Sequence, residues 1–63
     1  MKQIKEAWYI NGAYVWETDT GSYEMIPMFD KLDRAMPYHG PDPKEFGFPL
    51  DELDCRILDL KKS

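Results

Sequence analysis

The chain has 63 residues, 43% of them hydrophobic and 14% aromatic, with twelve acids against eight bases for a net charge of −4. That size allows one small domain, residues 1–63, and the hydrophobic content excludes a disordered chain, whose signature is low hydrophobicity with high net charge. The acidic balance argues against direct contact with a nucleic-acid backbone, and no apolar run approaches the roughly 20 residues that span a bilayer, so neither nucleic acid nor membrane is expected as a partner.

The N-terminus, Met-Lys-Gln-Ile-Lys-Glu, is too polar for a secretory signal. With the single cysteine, Cys55, no internal disulfide can form, so a reducing, cytoplasmic setting is expected.

Asn11-Gly12 divides the most apolar stretch into Ala7-Trp8-Tyr9-Ile10 and Ala13-Tyr14-Val15-Trp16. This dipeptide supplies the positive-φ residues of a two-residue hairpin turn, and predicts a hairpin over 3–10 and 13–18. Ile10 then pairs with Ala13, Tyr9 with Tyr14, Trp8 with Val15 and Ala7 with Trp16. Opposed residues share a face, so Trp8, Ile10, Ala13 and Val15 lie on one side and Ala7, Tyr9, Tyr14 and Trp16 on the other.

Thr18-Asp19-Thr20-Gly21 is turn chemistry, and Ser22 to Met28 alternates as a third strand. A four-residue turn sets Glu17 against Ser22, Trp16 against Tyr23 and Tyr14 against Met25. A slip of one residue instead brings Glu24 and Ile26 to the Tyr14 face.

After Pro27 the period changes. Phe29, Leu32, Ala35 and Met36 fall on one side of a short amphipathic helix ending before Pro37, and the Trp8 face is where it would dock. Residues 37–49 hold four of the five prolines and two of the four glycines, and read as a stiffened, ordered loop. This loop could fold across the Tyr14 face, with Phe46 and Phe48 packing on Tyr14 and Trp16. Leu50 to Leu60 fits two patterns. Leu53, Cys55 and Ile57 alternate as in a strand, whereas Leu50, Leu53, Ile57 and Leu60 form a helical stripe. The strand is the first choice and the helix the alternative. The expected architecture is α+β: an antiparallel β-meander with one short helix, a Pro-rich loop and a C-terminal strand or helix.

Catalytic and metal chemistry find little support. Cys55 and the lone histidine, His39, have no spacing that suggests a nucleophile and base, and His39, Asp42 and Glu45 match no recognised metal pattern. No Walker loop, dinucleotide fingerprint or zinc pattern is present, so no cofactor is expected and the chain is read as a non-enzyme.

The aromatic surplus points elsewhere. Tyr and Trp are enriched in binding hot spots, and the face carrying Tyr9, Tyr14, Trp16 and Tyr23 has no covering element in this scheme. With Glu17, Asp19 and Glu24 as an acidic rim, these residues are the candidate protein-binding site. The expected partner is a larger protein with a basic surface, which this chain inhibits or modulates. Small free-standing proteins of phages and mobile elements often act this way on host nucleases, polymerases or anti-phage systems. The alternatives are pairing of two copies into a homodimer, a structural subunit, or an acidic nucleic-acid mimic occupying a basic groove.

Overall fold

The computed structural model describes residues 4–27 and 35–62. The strands are β1 (Ala7–Ile10), β2 (Ala13–Glu17), β3 (Tyr23–Pro27), β4 (Met36–Pro37) and β5 (Phe48–Pro49), with helices α1 (Pro43–Phe46) and α2 (Glu52–Lys62). All pairings in the sheet are antiparallel, in the order β4-β3-β2-β1-β5. The molecule is an α+β fold with a β-meander at its centre.

The first hairpin has the register expected from its turn, from Ala7 against Trp16 to Ile10 against Ala13. Asn11 and Gly12 take φ of 51° and 79°, as a two-residue turn of this hand requires. The second hairpin takes the slipped register. Tyr23 faces Glu17, Glu24 faces Trp16 and Ile26 faces Tyr14. Gly21 is the reason: it enters the left-handed region at φ 80°, its N–H bonds to the Thr18 carbonyl at 3.2 Å, and Thr18 N–H closes on the Ser22 carbonyl at 2.7 Å. Thr18 and Ser22 thus become the closing pair, and every later partner moves by one.

The consequence is a clean division of faces. Ala7, Tyr9, Tyr14, Trp16, Glu24 and Ile26 share one face, while Trp8, Ile10, Ala13, Val15, Tyr23 and Met25 share the other. Tyr23, expected beside Trp16, is therefore on the opposite side of the sheet.

Each face has its own cover, and neither is the one expected. Over the Trp16 face lies α2, whose Cys55 and Leu58 join Ala7, Trp16 and Ile26 in a buried cluster, with Ile4, Tyr14, Ala35 and Leu50 packed around it. The C-terminal segment is thus the helical alternative and not a fourth meander strand. Asp51 starts it, its carboxylate accepting from Asp54 N–H at 2.8 Å, and acids occupy the first turn where the helix dipole favours them.

The Pro-rich segment covers the Trp8 face, not the Tyr14 face. Buried Pro43 begins α1, Asp42 caps it by accepting from Lys44 N–H at 3.0 Å, and Tyr38 stands edge-on to Tyr23 at 6.4 Å. Tyr23 in turn stands edge-on to Trp8 at 6.3 Å.

Of the helix expected over 29–36, residues 29–34 lie outside the described residues. Met36 is in β4, paired with Met25, because Tyr38 N–H bonds to the Tyr23 carbonyl at 2.9 Å and holds the segment as an edge strand. Both edge strands are two residues long and end in proline, at Pro37 and Pro49. A proline cannot donate to a further strand, so both edges are poor templates for sheet extension.

Candidate functional site

The hairpin turn places Tyr9 directly across from Tyr14 on the face that α2 only partly covers, with ring centroids 6.1 Å apart. β5 then adds Phe48 directly across from Tyr9. Phe48, Tyr9 and Tyr14 therefore form one row across three strands, continued in β3 by the buried Ile26. Phe48 is 72% exposed and the two tyrosines are half-buried. An aromatic cross-strand pair contributes up to about 1 kcal/mol, and the rest of each ring's apolar area remains available to a partner.

What holds Phe48 in this row is local. Leu50 N–H bonds to the Ala7 carbonyl at 2.8 Å, extending the β5–β1 pairing. Just before β5, Gly47 N–H bonds to the Pro43 carbonyl at 2.9 Å and closes α1. A side chain at Gly47 would sit 2.7 Å from the Pro43 carbonyl oxygen and 3.0 Å from Trp8 Cβ. Close approach of this glycine to β1 is what brings the following residue into sheet register.

Of the seven residues expected to bind a partner, the structure groups Tyr9 and Tyr14 in this row. Trp16 is 2% exposed beneath α2, and its Nε1–H donates to Glu24 Oε1 at 3.3 Å, so the pair belongs to the packing of that face. Glu17 is on the opposite face, in an exposed ion pair with Lys44 at 3.2 Å, and this contact holds the Lys44 ammonium above its ordinary pKa. Asp19 lies in the second turn. Asp19, Tyr23 and Glu24 do meet around an open hollow of about 600 Å³, together with Pro37, Tyr38 and His39. The acidic residues therefore do not rim the Tyr9–Tyr14 row.

Phe48 was hidden from sequence reasoning by its setting between Gly47 and Pro49, where no strand period can be read. A second exposed apolar group lies on α2, where Leu53, Ile57 and Leu60 are 65%, 45% and 77% exposed.

His39 and Cys55 line different hollows, the latter one of about 240 Å³ with Asp51, Arg56 and Asp59. Burial, followed by the nearby Asp59 and Asp51 carboxylates, pushes the Cys55 thiol up from its ordinary value, which keeps it protonated and a poor nucleophile at neutral pH. Among the described residues no group of three His, Cys, Asp or Glu side chains is arranged to hold a metal ion. No helix among the described residues is long and apolar enough to cross a membrane.

Comparison with protein-family models, with curated proteins and with solved structures finds no match to this chain.

Proposed function

We propose that this chain is a non-enzymatic protein-binding module that inhibits or modulates a larger protein through the Phe48–Tyr9–Tyr14 row. One observation carries the proposal: a large aromatic side chain, Phe48, stands 72% exposed at the end of an ordered cross-strand row instead of turning into the core. Aromatics fixed on a sheet bury a large apolar area on binding at little conformational cost, the property shared by binding hot spots. The net charge of −4 favours a partner with a basic surface, through faster encounter more than through contact energy.

Burying one such ring is worth about 1.5–3 kcal/mol. Phe48→Ser in the full chain, a change outside the core, is expected to weaken partner binding by ten-fold or more while leaving the far-UV circular dichroism spectrum unchanged. The test is quantitative capture from a cell extract by the wild type and by Phe48→Ser and Tyr9→Ser. Proteins retained by the wild type and lost from both variants support the proposal, and identical captured sets refute it.

A further inference from the structure

We propose that the outer face of α2 is a self-association surface, on which a second copy of this chain docks antiparallel about a two-fold axis near Ile57. The face exists because α2 is apolar on two sides. Cys55 and Leu58 point into the core at 6% and 1% exposure, while Leu53, Ile57 and Leu60 are 65%, 45% and 77% exposed. At 3.6 residues per turn, these three fall within an arc of about 60°, roughly opposite Cys55 and Leu58. The fold needs only the inner pair, so the outer stripe has no task inside one copy.

Two features of the stripe suit it to its own copy. Leu53 and Leu60 lie four residues before and three after Ile57, so an antiparallel mate sets Leu53 against Leu60, Ile57 against Ile57 and Leu60 against Leu53. Charge is also segregated along the segment. Asp51, Glu52 and Asp54 stand at its start and Lys61 and Lys62 at its end, so an antiparallel copy meets each acidic end with a basic one. Asp54 falls across from Lys61, within a residue of the same two-fold centre. Arg56 is already engaged by Glu52, four residues earlier, at 3.3 Å. A face complementary to itself in both shape and charge is what a two-fold interface requires. Edge-to-edge pairing of the sheets is not available as a rival, because Pro37 and Pro49 close both edge strands.

Three aliphatic side chains per copy cover less than the ~800 Å² per partner of a standard stable interface, so the association is weak. Light scattering of the full chain from about 10 μM to 1 mM is expected to show the mass rising from 7.4 kDa toward twice that value. Ile57→Asp should hold the mass at 7.4 kDa at every concentration, with Leu60→Asp as the companion variant if Ile57→Asp loses its helical spectrum. Phe48→Ser should associate like the wild type. Asp54→Lys should weaken association, and Asp54→Lys combined with Lys61→Glu should restore it. A wild type that stays at 7.4 kDa throughout overturns the inference, as does a dimer that survives Ile57→Asp and is lost in Phe48→Ser. Failure of the charge swap to restore association overturns the antiparallel arrangement. Neither result bears on the Phe48 row, whose test is capture of a different protein.

Discussion

Leu58 and Leu60 lie two residues apart, and truncating each to alanine asks the C-terminal segment which structure it has. In a helix the two are about 200° apart, whereas in a strand they share a face. Leu58 is 1% exposed in the cluster with Trp16 and Ile26, and Leu60 is 77% exposed. Removing a buried leucine side chain costs about 2–5 kcal/mol, the sum of lost transfer energy and the cavity left behind. At about 0.05–0.15 kcal/mol per residue, a chain of this length is stable by roughly 3–9 kcal/mol, so Leu58→Ala removes much of that margin. Leu60→Ala should stay within about 0.5 kcal/mol, since no buried contact is lost and alanine suits a helix. Urea unfolding followed by circular dichroism at about 5 μM, below the range of self-association, should separate the variants by at least ~2 kcal/mol. In thermal melts that difference corresponds to about 8 °C or more. Equal losses at the two positions would refute the helix and its docking on the Trp16 face.

Gly47→Ala should destabilise by about 1–3 kcal/mol, because its Cβ meets the Pro43 carbonyl oxygen at 2.7 Å and Trp8 Cβ at 3.0 Å; a neutral effect in urea titration would contradict the close approach. Gly21→Val forces a branched side chain to φ 80° and should cost about 1–2 kcal/mol, with Ser22→Val as the milder control. Native Cys55 should react slowly with a thiol reagent at pH 8 and at once in denaturant, since the thiol is buried and its pKa raised; fast labelling of the native chain would disprove its burial. The same upward shift means that the folded state holds the proton more tightly than the unfolded one. Its contribution to stability is therefore complete below the ordinary thiol value of 9.0 and is lost as pH rises through the folded value. Tyr38, raised by burial and by Asp42, adds to the loss above its ordinary value of 10.0. Urea midpoints should fall steadily on the alkaline side, and a flat profile would count against both assignments.

The sequence made the first hairpin legible because Asn11-Gly12 permits one turn and therefore one register. The second turn held more ambiguity, since whether Gly21 counts as a turn residue or as a bulge decides which side Tyr23 and Glu24 occupy. For residues 50–60 the apolar positions fit two periods, and even the helical stripe Leu50, Leu53, Ile57 and Leu60 named the outer face more than the inner one. Hydrophobicity alone does not say which side of a doubly apolar helix docks. The capping by Asp51, with acids at the start and lysines at the end, was the signal that favoured a helix. β5 was illegible for a different reason. Two residues have no period, and Phe48 gains its place from the approach of Gly47 to Trp8, a tertiary contact.

Site-specific photo-crosslinking with benzoylphenylalanine at position 48, in living cells that express the full chain, tests the proposed binding row most directly. The expected result is a discrete adduct with a different, larger protein, formed at position 48 and absent when the same probe replaces Asp19 in the second turn. No adduct at position 48, or the same adducts from both positions, would contradict a binding role for the Phe48–Tyr9–Tyr14 row.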